Sequence, residues 1–145
     1  MKLVIDTNVL SSALYSKKGA SYALIKWLFQ QEQMLSVVST PLVIEYQDVL
    51  TRPEQMARYP QLSQLDIEGF IDDICHISWH QKIYYLWRPF LPDPKDDMIL
   101  ETAFNAGADY IITHNLRDFR QVRDNFNIQP IAPKDFWQLH KGEQK

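Results

Sequence analysis

Two short apolar runs that stop abruptly in polar residues constrain this chain more than any other feature. Lys2 to Ile5 ends in Asp6-Thr7-Asn8, and Leu35 to Val38 ends in Ser39-Thr40-Pro41. Runs this short are poor helices, and runs this uniformly apolar do not alternate as a half-exposed strand does. They fit strands buried on both faces of a parallel sheet, each running into a turn.

The segments between and after these runs carry helical spacing. Leu24, Ile25, Trp27, Leu28 and Phe29 predict a helix over Ser21 to about Gln31, after the breaker Gly19. Thr40-Pro41 opens another, because proline at the first helical position gives up no needed N–H, and the pattern stops near Arg52-Pro53. A short helical turn is expected over Gln55 to Tyr59. Ser63 with Asp66 forms a capping-box pattern ahead of Ile67, Phe70, Ile71 and Ile74.

Further along, a short strand is expected at His76 to Trp79. The aromatic stretch that follows, with Tyr84, Tyr85, Trp87 and Phe90, shows no clean period. Asp93-Pro94 predicts a capped helix running to Ala106 and stopping at Gly107, then a strand over Asp109 to Thr113. A polar turn from His114 to Asp118, a short helix, a strand at Ile128 to Ile131 and a last helix from Pro133 complete the pattern. This alternation predicts a three-layer α/β/α sandwich on a mainly parallel sheet. With 145 residues, 46% of them hydrophobic, no repeats and no linker, one domain is expected over residues 1–145.

Composition narrows the function classes. No apolar run approaches the ~18 residues that span a bilayer, and an acid comes too early in MKLVIDTNVL for a secretory leader. A single cysteine, Cys75, forms no internal disulfide, and the four histidines are too scattered for a zinc site. A reducing cytoplasm is the expected home. The net charge of -3 argues against a dominant positive field, but not against acids gathered around cations.

Ligands of open parallel sheets bind beyond the carboxyl ends of the strands, where Asp6 and the Thr113 to Asp118 segment are expected. Asp6 alone also reads as a turn or a helix cap, with Asn8 bonding its carboxylate or the turn. Glu45 falls in the stripe of Leu42, Tyr46 and Val49, costly for an unpaired carboxylate unless it bends to solvent from the stripe's edge. In the helix after Asp93, Asp96 shares the inward stripe of Ile99, Ala103 and Ala106. Asp97 aligns instead with Leu100, Glu101 and Phe104, a face on which Glu101 is expected to meet solvent, and Asp93 reads as the cap. Asp118, five residues after Thr113, reads equally as a site acid or a helix cap.

Four acids at one sheet edge repel each other and call for a cation. Hard oxygen donors without cysteine favour Mg²⁺ or Mn²⁺, which suit phosphodiester hydrolysis. Lys17, Lys18, Arg52, Lys95, Arg117 and Arg120 are the expected positive charges near the strand tips, and each also reads as an ordinary surface charge. The aromatics from Trp79 to Phe90 read as core or dimer interface ahead of base stacking.

The segments LVIDTNVLSSAL, STPLVIEYQDVL and DPKDDMILETAFNAGADYIITHNLRDF resemble the PIN (PilT N-terminus) domain family, in its toxin-like branch of type II toxin–antitoxin pairs. The resemblance implies an α/β/α sandwich, Mg²⁺ or Mn²⁺ dependence, ribonuclease activity, a small antitoxin partner and a homodimer. By motif position it assigns Asp6, Glu45 and Asp96 to the acidic site, with Thr113 and Asn8 as its polar supports. Relatives carry an aspartate where this chain has Asn115, leaving the fourth corner to Asn115 or Asp118. Two rivals share parts of this pattern. A phosphoacceptor signalling domain lacks its expected acid and lysine at Leu35 to Val38 and Ile128 to Ile131. A PIN scaffold that binds RNA or protein without cutting is opposed by the presence of Asp6, Glu45 and Asp96.

Overall fold

A computed structural model describes residues 1–140. Its sheet has five strands, β1 (Leu3–Ile5), β2 (Ser36–Val38), β3 (Ser78–His80), β4 (Tyr110–Ile112) and β5 (Gln129–Ile131). They lie in the order β3-β2-β1-β4-β5 and every pair is parallel. The sheet is thus wholly rather than mainly parallel. β1 and β2 are buried along their whole length, as their unbroken apolar runs require.

Eight α-helices occur among the described residues: α1 (Thr7–Tyr15), α2 (Ala20–Phe29), α3 (Thr40–Leu50), α4 (Pro53–Met56), α5 (Gln64–His76), α6 (Asp97–Ala106), α7 (Arg120–Asn125) and α8 (Pro133–His140). The chain moves one way through β1, β2 and β3 and then returns past β1 to β4 and β5. Parallel crossovers share one hand, so this reversal puts helices on both faces and makes the α/β/α sandwich.

Most expected elements appear within two or three residues of their predicted ends. The clearest omission is α1, because Asp6-Thr7-Asn8 read as a turn, whereas Asp6 is the N-cap residue of a nine-residue helix with Val9, Leu10 and Ala13 buried. The helix expected from Pro94 is split into a 3₁₀ turn at Pro94–Asp96 and then α6, which ends at Gly107 in the left-handed conformation. The strand expected from His76 starts later, since His76 closes α5 and the capping box of Ser63 and Asp66 opens it.

Register places the site. Leu3 pairs with Tyr110 and Ile5 with Ile112, so Asp6 and Thr113 stand level, one step beyond β1 and β4. The direction of the strand order reverses between these two strands, and that is where an open parallel sheet leaves its crevice. Underneath, Trp27, Tyr46, Phe119 and Phe136 are the largest side chains sealed from water, and α6 lies against β1, β2 and β4.

Candidate active site

Asp6 is 5% exposed, and its Oδ2 accepts a hydrogen bond from the Thr113 hydroxyl at 2.7 Å and from Asn8 Nδ2 at 3.2 Å. Burial pushes its pKa up, against the opposing pull of the Thr113 bond and the first N–H groups of α1. Those N–H groups face the carboxylate without a capping bond of normal geometry. Asn8 also accepts from the His114 N–H, and the Asn115 N–H donates to the Thr113 oxygen. The turn after β4 is therefore stitched to the tip of β1 through these two side chains.

Beneath this tip the Tyr46 hydroxyl donates to the Ile5 carbonyl at 2.5 Å. Tyr46 is sealed from water, and burial followed by the charge of Asp6 holds its pKa well above the phenol range, so it remains a donor. The bond ties α3 to the end of β1. It fixes the position of Glu45, the preceding residue in α3, which is half-buried. Ser39 caps α3 and donates to Thr102, which itself donates to the Met98 carbonyl, so α3 and α6 are joined at the same edge.

Asp96 is 8% exposed, and its Oδ2 is buried without a hydrogen-bond partner. Its pKa is raised to about 7, first by burial, then by the charges of Asp6, Asp93, Asp118 and Asp97. A cleft of about 270 Å³ opens over these residues, lined by Asp6, Asn8, Glu45, Asp93, Asp96 and Asn115, with the cations Arg52, Arg58 and Lys95 around them. Three acids predicted for the site thus share one cleft. Asn115 lines it as well, while Asp118 stands outside its lining in the 3₁₀ turn Leu116–Phe119, where its charge still reaches Asp96.

Asp97 lies apart from this group. It is 2% exposed and accepts from the N–H groups of Phe90 and Leu91. One turn on, Glu101 is 1% exposed rather than solvated as its sequence position suggested, and it pairs with the Arg88 guanidinium and the Trp87 N–H. A further turn on, Asn105 bonds both backbone sides of Tyr84 and Tyr85. This side of α6 therefore holds the aromatic stretch as an extended strap. Trp87 and Phe90 pack on Phe104 and Phe126 beneath it, while Tyr84 and Tyr85 stay exposed.

Of the predicted positive charges, Arg52 and Lys95 line the cleft, and Lys17 borders an apolar groove with Tyr22 and Phe29 instead. Sequence reasoning missed Arg58 as a cleft residue, together with Ser11 and Gln55 beside it. Arg58 sits just past the end of α4, within the helical turn expected over Gln55 to Tyr59, and no local signal marks it as functional.

The donors fit a hard divalent ion in kind: carboxylates and amide oxygens, no thiol, and at Asp96 a buried oxygen that a proton or a cation must satisfy. They are not closed around one. Among the described residues, no three His, Cys, Asp or Glu side chains are gathered closely enough to hold a metal ion.

No curated protein matches the chain. Its residues 2–117 match the family described as PIN domain, a span that runs from the start of β1 to the turn after β4 and so includes Asp6, Glu45, Asp96 and Asn115. With that match over most of its length, the chain belongs to the PIN domain family, whose members are generally metal-dependent nucleases.

Proposed function

We propose that the chain is an endoribonuclease that uses Mg²⁺ or Mn²⁺ to hydrolyse single-stranded RNA. The observation that carries this reading is Asp96: a buried, unpartnered carboxylate oxygen, under the charge of Asp6, at the switch point of a parallel sheet. Asp6, Glu45 and Asp96 would hold the ion, with Asp118 and Asn115 completing the site at longer range. A bound ion of this kind supplies an acidified water and charge neutralisation for phosphodiester cleavage.

The chain's own groups do the rest. Thr113 and Asn8 fix Oδ2 of Asp6 and so orient the carboxylate that would hold the ion. Asp97 acts at a distance, by holding the strap that shields α6. The Tyr46 bond to Ile5 keeps Glu45 and Asp6 in register.

The test uses the full chain with 5′-labelled single-stranded RNA and Mn²⁺ or Mg²⁺. Asp6→Asn and Asp96→Asn are expected to lose at least about 100-fold in rate while keeping the wild-type circular dichroism spectrum. Equal cleavage by all three proteins means a contaminant and ends the assignment.

The open spacing of the acids favours a second reading, a PIN scaffold that binds RNA or a protein partner without cutting. Metal-independent RNA binding with no cleavage in either ion is its signature. We extend the first reading to a cytoplasmic toxin, dimeric and held by a small antitoxin encoded nearby, on the strength of the motif resemblance. Twice the chain mass in solution and co-purification with the neighbouring gene's product are the observations these extensions require.

A further inference from the structure

We propose that Arg58 is the cleft's phosphate-binding cation, fixed in place by Ser11, Gln55 and Tyr15 to receive a phosphodiester of single-stranded RNA. The inference rests on the nuclease reading for its substrate and on the geometry of Arg58 for its site.

The three cations of the cleft differ in what already satisfies them. Arg52 is bound to the Asp48 carboxylate one turn earlier in α3, so much of its charge is spent within the protein. Lys95 is exposed in the 3₁₀ turn, and its side chain makes no polar contact among the described residues. Arg58 combines full charge with a fixed position. Its Nη1 donates to Ser11 Oγ at 2.8 Å and to Gln55 Oε1 at 3.4 Å, and Ser11 closes the triangle by donating to the same Gln55 oxygen at 2.7 Å. Both partners are neutral. Among the described residues Arg58 has no carboxylate partner.

The third contact is the Tyr15 ring, with the guanidinium carbon 5.0 Å from its centroid. Stacking fixes the plane of the guanidinium, and the Ser11 and Gln55 bonds fix its rotation in that plane. A guanidinium has five N–H donors, and those on Nε and Nη2 are not used by the described residues. A planar cation held on one side by neutral groups, with spare paired donors, is the arrangement that binds phosphate bidentately. Ser11 and Gln55 line the same cleft as Asp6 and Asp96. A phosphate on Arg58 therefore lies along the strand path that leads to the acids. Ser11 is 3% exposed, and its bonds to Arg58 and Gln55 account for a serine among the buried residues of α1.

The experiment measures binding of a fluorescein-labelled single-stranded 12-mer RNA by the full chain carrying Asp96→Asn, from 50 to 200 mM salt. Adding Arg58→Gln is expected to weaken binding about tenfold at the lowest salt and to reduce the slope of log affinity against log salt by about 0.7, one phosphate contact. Arg58→Lys keeps the charge but loses the fork and the stack, so it recovers the slope and only part of the affinity. Tyr15→Phe retains binding and Tyr15→Leu loses severalfold, because the ring rather than the hydroxyl holds Arg58. Lys26→Gln, an equal loss of charge on α2 away from the cleft, leaves both readouts unchanged.

An unchanged slope with Arg58→Gln overturns the inference, even if the wild-type chain cleaves RNA. Arg58-dependent binding in a wild-type chain that never cleaves leaves the inference standing and removes the nuclease reading. No RNA binding by any of these proteins removes both.

Discussion

A buried carboxylate with an unpartnered oxygen is satisfied either by a proton or by a cation, and Asp96 poses that choice near neutral pH. Its folded pKa of about 7 lies above the ordinary value of 3.8, so the folded state binds the extra proton between those two pH values. Without metal, its contribution to stability is therefore neutral below about pH 4, falls as pH rises towards 7 and levels off above. Asp66 has the opposite sign, because its capping box lowers its pKa, so the comparison must be made against a variant. In EDTA, urea unfolding is expected to show wild type losing on the order of 2 kcal/mol relative to Asp96→Asn between pH 5 and pH 7.5, allowing for water in the cleft. Parallel pH profiles for the two proteins sink this account of Asp96. The acids were legible in the sequence because each follows a pattern break: a strand end at Asp6, a polar residue in an apolar stripe at Glu45, a helix face at Asp96. Arg58 was not, because its position comes from partners 3, 43 and 47 residues away that no local pattern connects.

At the scale of elements, the strap from Gln81 to Leu91 explains why one side of α6 was misread. Asp97, Glu101 and Asn105 recur at helical spacing and, seen in the sequence, resemble a solvated face. In the fold each receives backbone N–H groups from the strap, which has neither helical nor strand periodicity of its own. Buried acids become tolerable when a whole segment's unpaired amides are bonded to them. Asn105→Ala removes three bonds to Tyr84 and Tyr85 at once. It is expected to cost about 1 to 2 kcal/mol and to speed amide hydrogen exchange at those two residues while the amides of β1 and β4 stay protected. Unchanged exchange there means that aromatic packing alone holds the strap. The helix α1 escaped detection for a related reason: its cap residue is an acid recruited to the site, so the local code for a turn and the code for a helix start coincide at Asp6.

For the whole molecule, the order of strands was implicit in the alternation of apolar runs and helices, whereas the pairing of β1 with β4 needed the chain to double back past its own beginning. That return gathers the cleft from five separate segments, so occupancy of the cleft reports on the entire native state. An ion bound only by the folded chain stabilises it by mass action. Mn²⁺ at about 100 times its dissociation constant is expected to raise Tm by roughly 5 °C. EDTA reverses the rise, and Asp6→Asn and Asp96→Asn abolish it. A Tm indifferent to Mn²⁺ in the wild-type chain contradicts metal binding at the cleft.

The hydrogen bond from Thr113 to Asp6 joins residues 107 positions apart, and it carries a consequence for synthesis. On the ribosome, Asp6 is made 107 residues before the hydroxyl that holds it. Until then β1 lacks its β4 neighbour, Asp6 lacks its anchor, and Asp96 has nothing assembled to face. A nascent chain that has not yet reached β4 therefore lacks the assembled cleft, which comes into being only when the chain doubles back past its own first strand.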